Sequence, residues 1–312
     1  MYRLLRHKTS RQTVRTPGRW SSSSGFRSRL RPVAVIPTLL TLGNLLCGFM
    51  SIFAASRDMN TPLPLGWTPL TLACVLIFLG MMFDALDGHI ARMTRTLSDL
   101  GEQLDSMADM VTFGMAPAFI AVQLVGVGAP FISEVSDRSF DRIALVVAGI
   151  YVCCAALRLA RFNIEASSPD YSDHMSFKGL PTPGAAGMVA GVILLHQHFL
   201  ARASEDPTYW MLRVASIGMV IIMLFAGCAM ISRLRYMHIV NRYLRGRTSF
   251  GTVARVVVIG LLLLIQPQGA IAAAFILYAL SAPVVELYRV IYRGGGDSVR
   301  SRGELYSKSE SD

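Results

Sequence analysis

Charged residues are scarce in this 312-residue chain, where only 16% are Asp, Glu, Lys or Arg. Soluble globular domains carry about 25%. Hydrophobic residues make up 53% of the chain and form runs too long and too numerous for one soluble core. The chain also lacks a Walker loop, a G-x-G-x-x-G after a strand pattern and any internal repeat. The composition therefore favours an integral membrane protein.

The chain has only five cysteines, and they form no C-x-x-C pair and no Cys/His spacing of the kind that binds zinc. All five lie inside apolar stretches, so we interpret them as small hydrophobic residues in reduced form. They are Cys47, Cys74, Cys153, Cys154 and Cys228.

Eight apolar segments predict an all-α, polytopic membrane bundle. They run over 33–56, 66–86, 104–126, 142–163, 181–201, 211–231, 252–267 and 270–288. The last two are short or interrupted by Gln266–Gly269. They could instead form one hairpin, which leaves seven spans or a re-entrant loop as the alternative. With the N-terminus inside, 25 of the 30 Lys and Arg residues fall in cytoplasmic segments. We therefore expect eight spans, both termini in the cytoplasm, and a bacterial-type plasma membrane as the location.

The ends of the chain differ in composition from these spans. Nine Lys or Arg residues lie between Arg3 and Arg31, the first acidic residue is Asp58, and the tail over 1–32 has no run long enough for a span. We expect a disordered cytoplasmic tail; a polybasic contact with anionic lipid and a transit peptide are the alternatives. We expect no nucleic-acid partner. A basic cytoplasmic loop with two additional spans is expected over 232–290, and a disordered tail over 291–312.

Four aspartates stand at the predicted cytoplasmic ends of the second and third spans. Asp84 and Asp87 are three residues apart and Asp105 and Asp109 are four apart, so each pair shares a helix face. The two helices are predicted to be antiparallel neighbours with a short connection. Both acidic faces can then converge on one site.

Crowded carboxylates repel each other, and two divalent cations would cancel four negative charges. Oxygen ligands suit Mg²⁺ or Mn²⁺, and a pair of metals is a recurrent solution for displacement at phosphorus. Gly88 and Gly101 leave room for a nucleotide beside the backbone, and Arg92 can neutralise a phosphate. The plainer alternative is a set of helix-end carboxylates paired with Arg92 and Arg95. A cation- or proton-coupled transporter is another, although its carboxylates should lie near mid-membrane in repeated halves.

These residues match the pattern D-x2-D-G-x2-A-R-x8-G-x3-D-x3-D at all eight fixed positions, and the chain thereby resembles the CDP-alcohol phosphatidyltransferase family. The resemblance covers roughly 33–231 and implies a six-helix catalytic core, usually dimeric. It implies that Asp84, Asp87 and Asp105 are metal ligands and that Asp109 is both a ligand and the general base. It also implies that CDP-lipid is held by Gly88, Ala91, Arg92 and Gly101.

Within that family the chain most resembles the phosphatidylserine synthase branch. Four stretches carry this resemblance: 36–48, 104–118, 157–163 and 177–181. It implies transfer of a phosphatidyl group from CDP-diacylglycerol to L-serine in the cytoplasm. A sister transferase acting on glycerol 3-phosphate or an inositol phosphate is the alternative. The candidate residues for binding the acceptor or the lipid phosphate are Arg158, Arg161, Asn163 and Lys178. For the three basic residues, the competing interpretation is that they only anchor the helix ends on the cytoplasmic side of the membrane.

Overall fold

The structure is a computed structural model. It describes residues 32–59, 61, 63, 66–94, 99–128, 137–166, 179–202, 209–234, 236 and 265–309. Across these ranges the regular structure is helical, without a β-strand, which confirms the all-α prediction. The helices are α1 (Pro32–Ala55), α2 (Pro69–Thr94), α3 (Asp99–Asp109), α4 (Ala116–Gly128), α5 (Asp137–Ala166), α6 (Thr182–Arg202), α7 (Tyr209–Ile231) and α8 (Pro267–Ser309).

Seven helical segments within the described ranges are long and apolar enough to cross a membrane. They are Val35–Ala55, Pro69–Thr94, Leu100–Gly126, Ser139–Ile164, Thr182–Leu200, Val214–Ile231 and Pro267–Arg289. Each matches a predicted span, and the remaining one, 252–267, falls almost wholly outside the described residues. The basic tail and most of the basic loop also fall outside them, so the domain boundaries stay predictions.

Two helix ends lie beyond the limits expected from hydropathy. α2 continues to Thr94, eight residues past the predicted span, because its last turns are polar but contain no proline. α8 continues to Ser309, through the 291–309 stretch that was expected to be disordered. No proline follows Pro283 in the sequence. The glycines of that stretch each lower helix propensity by about 1 kcal/mol without forbidding a helix.

A π-helical turn, Met110–Met115, joins α3 to α4 immediately after Asp109. Thr112 on this turn is fully buried, and its hydroxyl donates to the backbone oxygen of Asn44 on α1 at 2.8 Å. A methyl group on Gly80 of α2 would lie 2.6 Å from Thr112 Cγ2, and one on Gly48 of α1 would collide with the Thr112 hydroxyl. Glycine at both positions therefore allows α1 and α2 to close around the turn, which fixes α3 relative to both.

Candidate metal and substrate site

Three aspartates from two helices form a compact cluster at the polar ends of α2 and α3. Asp84 on α2 and Asp105 and Asp109 on α3 each offer a carboxylate oxygen, and these oxygens lie within 4.8 Å of one another. At that distance two unit negative charges repel by about 3 kcal/mol at an effective dielectric constant of about 20. Such a cluster needs cations, hydrogen-bond donors or bound protons to offset the repulsion.

The fourth predicted aspartate, Asp87, lies beside this cluster and is held from α1. Its Oδ2 accepts a hydrogen bond from the Thr41 hydroxyl at 2.9 Å, and its side chain is only 5% exposed. The charge of Asp87 acts on both Asp84 and Asp105, so all four carboxylates belong to one electrostatic group. α1 packs against both α2 and α3, which lets it supply polar groups to this site.

α1 supplies a second hydrogen-bond donor to the site, and this one reaches Asp109. The amide nitrogen of Asn44 donates to Asp109 Oδ1 at 3.0 Å, and both side chains are buried. This bond engages one lone pair of the Asp109 carboxylate and leaves the others for a metal or a substrate hydroxyl.

Two buried oxygen atoms at the site have no hydrogen-bond partner among the described residues: Asp105 Oδ1 and Asn44 Oδ1. A buried acceptor without a donor costs about 1–3 kcal/mol, and more when it is charged. A bound cation would satisfy Asp105 Oδ1 directly, whereas Asn44 Oδ1 lies against α2, 2.9 Å from a methyl group built on Gly80. Carboxylate and amide oxygens are the ligands that Mg²⁺ and Mn²⁺ prefer, so the residues present fit a divalent cation.

The predicted CDP-lipid residues frame the cluster. Gly88, Ala91 and Arg92 lie on the last turns of α2, and Gly101 lies in the first turns of α3. The atoms nearest to a methyl group built on Gly88 all belong to the Arg92 side chain, the closest at 3.5 Å. Arg92 is exposed and attracts the carboxylates of Asp84 and Asp87. A flexible cation thus covers a bare stretch of backbone next to the aspartates, which suits a diphosphate.

The predicted acceptor residues lie mainly on α5, which packs beside the π turn. Asn163 hydrogen-bonds Ser106, a residue of α3 between two of the clustered aspartates, with Nδ2 2.9 Å from Ser106 Oγ. Arg158 and Arg161 are half-buried on the same helix. Lys178 lies outside the described residues.

Sequence reasoning did not assign roles to the polar residues that support the aspartates. Thr41 and Asn44 are three residues apart on an apolar span, and each bonds one of the four carboxylates. Polar side chains on one face of a membrane helix need partners. That spacing was the available signal for a supporting role.

Residues 34–227 match the sequence model of the CDP-alcohol phosphatidyltransferase family. The chain belongs to that family. The seven helices able to span a membrane within the described ranges make this member an integral membrane protein. Family membership confirms the resemblance found in the sequence and argues against the transporter alternative.

Several curated relatives carry the name CDP-diacylglycerol–serine O-phosphatidyltransferase. One from Helicobacter pylori is 34% identical over 209 residues, which cover 66% of this chain and 73% of that protein. One from Bacillus subtilis is 35% identical over 150 residues, covering 48% and 70%. An archaetidylserine synthase from Methanothermobacter thermautotrophicus is 31% identical over 161 residues, covering 51% and 58%.

Proposed function

We propose that this protein transfers the phosphatidyl group of CDP-diacylglycerol to the hydroxyl of L-serine, giving phosphatidylserine and CMP. The observation that carries the proposal is the cluster of Asp84, Asp105 and Asp109 within 4.8 Å, in a chain of the CDP-alcohol phosphatidyltransferase family. The relatives named above all have serine in the name of their activity or product, although the archaeal one is named for a different lipid. Serine is therefore favoured over glycerol 3-phosphate or an inositol phosphate as the acceptor.

The metal centre would be built by Asp84, Asp87, Asp105 and Asp109. Two divalent cations, Mg²⁺ or Mn²⁺, would polarise the pyrophosphate and neutralise the charge that develops on the departing CMP. The buried Oδ1 of Asp105, which has no hydrogen-bond partner among the described residues, supports this role. Thr41 and Asn44 donate to Asp87 and Asp109, and these bonds hold the two carboxylates in place before a metal binds.

In the reaction, the serine oxygen forms a bond to the lipid-bearing phosphorus. The bond from that phosphorus to the bridging pyrophosphate oxygen breaks, and its electron pair leaves with CMP. The hydroxyl proton passes to the carboxylate of Asp109, which acts as the general base and which Asn44 holds in place. Gly88, Ala91, Arg92 and Gly101 would hold the cytidine diphosphate.

The anionic groups of the substrates require cations nearby. We assign the lipid phosphate and the serine carboxylate to Arg158, Arg161 and Lys178. Asn163 contributes by fixing α5 to Ser106, next to the clustered aspartates. Its role in acceptor binding is then one of placing the two arginines of α5 beside the metal centre.

For topology, we propose that the site and both termini face the cytoplasm and that the protein is a homodimer. α8 runs antiparallel to α6, since Ala272 meets Gly191 while Tyr278 meets Gly184. α7 also runs antiparallel to α6, because Leu180, just before α6, bonds Ala229 near the end of α7. α7 and α8 therefore run in the same direction. This fits the eight-span topology, in which the predicted span 252–267 lies between them, and its cytoplasmic C-terminus.

The proposal is tested with purified protein, CDP-diacylglycerol, Mn²⁺ or Mg²⁺ and labelled serine, with lipid product as the readout. Labelled phosphatidylserine should form with the parent and be lost in Asp105→Asn at equal folded amount. Parallel reactions with glycerol 3-phosphate and inositol phosphate should give little product. Efficient use of one of these acceptors, with serine inert, would overturn the assignment of serine.

A further inference from the structure

α8 lies beyond the region matched by the family and packs along α6. Three glycines of α6 allow the approach. Methyl groups on Gly184 and Gly191 would lie 3.1 Å from Tyr278 Cε1 and Ala272 Cα, and one on Gly187 would collide with the Phe275 ring. The Tyr278 ring therefore packs against the first turn of α6.

Arg158 faces the interior of the bundle on α5. It shares a helix face with Tyr151 and Ala155, which lie seven and three residues before it. The Tyr151 hydroxyl donates to the backbone oxygen of Phe113 at 3.0 Å, and Ala155 Cβ lies 3.4 Å from a methyl group built on Gly114. This face therefore packs on the π turn, and Arg158 lies one turn further towards the level of Asp109.

Arg158 also lies near the end of α7. Tyr151 and Cys154 of α5 both lie 3.5 Å from a methyl group built on Gly227 of α7, so Arg158, one turn further along α5, is close to the segment after α7 that carries Tyr236. The guanidinium acts electrostatically on Tyr236 and on Tyr278.

Tyr236 follows α7 and is 5% exposed, and its ring centroid is 5.7 Å from that of Tyr278. Its hydroxyl donates to the backbone oxygen of Ala279 on α8 at 3.0 Å. Burial and then the neighbouring Tyr278 raise the pKa of Tyr236 to about 12, against the opposing effect of Arg158, so this hydroxyl stays protonated at neutral pH.

The position of Tyr236 is itself held by backbone contacts. Gly179 N donates to Leu234 O at 2.8 Å, and Leu180 N donates to Ala229 O at 3.0 Å. Gly179 has φ of +89°, and a methyl group there would collide with the Met230 backbone oxygen, so only glycine fits. The segment after α7 is thus anchored, and it holds the Tyr236 ring against the Tyr278 ring.

Resting on the proposed function, we infer that Tyr278 and Tyr236 are positioning residues for Arg158, so that α8, outside the family-matched core, sets the affinity for a substrate oxyanion. The oxyanion is either the phosphate of the CDP-lipid or the carboxylate of serine. Each tyrosine oxygen has lone pairs that can accept from the guanidinium. This contact would hold the arginine extended towards the metal centre and lower the entropy lost on substrate binding.

The test compares Tyr278→Phe with Arg158→Ala and with the double variant in the full-length enzyme. Serine is titrated at saturating CDP-diacylglycerol, and then the lipid at saturating serine, which distinguishes the two sources of the oxyanion. Loss of one hydrogen bond should raise KM about three- to tenfold in one titration, with kcat within about twofold. In the Arg158→Ala background, Tyr278→Phe should add less than about twofold, because its effect passes through the missing arginine.

Tyr288→Phe is the matched control, since it makes the same change on the same helix at an exposed position, and it should leave both KM values unchanged. Equal thermal unfolding temperatures of the variants exclude a packing defect. Unchanged KM values in Tyr278→Phe, or full additivity with Arg158→Ala, would overturn this inference alone. A parent protein that makes no phosphatidylserine would instead overturn the proposed function.

Discussion

Replacing Asn44 with leucine isolates the contribution of α1 to the site. The change keeps a side chain of similar size and removes the amide that donates to Asp109 Oδ1 at 3.0 Å. The hydrogen bond from Thr112 reaches the backbone oxygen of Asn44, so the placement of the helix should survive the substitution. The perturbation is thus confined to one donor and to the orphaned Oδ1 of the same amide.

The expected size follows from the charge of the acceptor. A hydrogen bond to a charged group contributes about 1.5–3 kcal/mol. With about 1.4 kcal/mol for each tenfold change, kcat/KM for serine should fall about 10- to 100-fold at saturating divalent cation. The assay is the initial rate of CMP release by purified Asn44→Leu and parent enzymes across serine concentrations, normalised to folded protein.

Ser51→Ala is the control, since Ser51 lies two turns further along the same face of α1 and is fully buried. Its hydroxyl donates to the backbone oxygen of Ala73 at 2.8 Å, away from the carboxylates. This variant should lose about 1 kcal/mol of stability and keep its kcat/KM within about twofold. If Asn44→Leu also keeps kcat/KM within twofold, the amide does not organise Asp109 and the reasoning is refuted.

Three further results are expected. Chelation of divalent cations should abolish phosphatidyl transfer and their return should restore it, and activity that survives complete chelation would refute the metal centre. Asp109→Asn should keep CDP-lipid and metal binding but lose turnover, because an amide cannot take the serine proton; a rate near that of the parent would place the base elsewhere. Gly48→Ala should destabilise the protein by about 1–3 kcal/mol by overpacking against Thr112, whereas Gly218→Ala, with open space around it, should not; equal unfolding temperatures would contradict this packing argument.

The sequence alone predicted the helical architecture and the convergence of the carboxylates because both depend on local spacing. Hydropathy locates membrane spans without knowledge of tertiary contacts. Asp105 and Asp109, four residues apart, share a face in any helix. The family signature added the expected roles, and the match over 34–227 confirmed the family itself.

Features that depend on contacts between distant residues could not be read in this way. The bonds of Thr41 to Asp87 and of Asn44 to Asp109 join residues 46 and 65 positions apart in the chain. The π turn after Asp109 has no hydropathy signal, since an extra residue per turn leaves the apolar character unchanged. The polar extension of α2 to Thr94 was also missed, because hydropathy follows the apolar part of a helix and not its hydrogen bonding.

A single competition experiment tests whether serine is the acceptor. Purified enzyme with Mn²⁺ and CDP-diacylglycerol is given an equimolar mixture of serine, glycerol 3-phosphate and inositol phosphate, and the lipid products are quantified by mass spectrometry together with CMP. Phosphatidylserine should be the dominant product, in equal amount to CMP, and the Asp105→Asn enzyme should give no product. A dominant product from another acceptor, or undiminished product from Asp105→Asn, would contradict the proposed function.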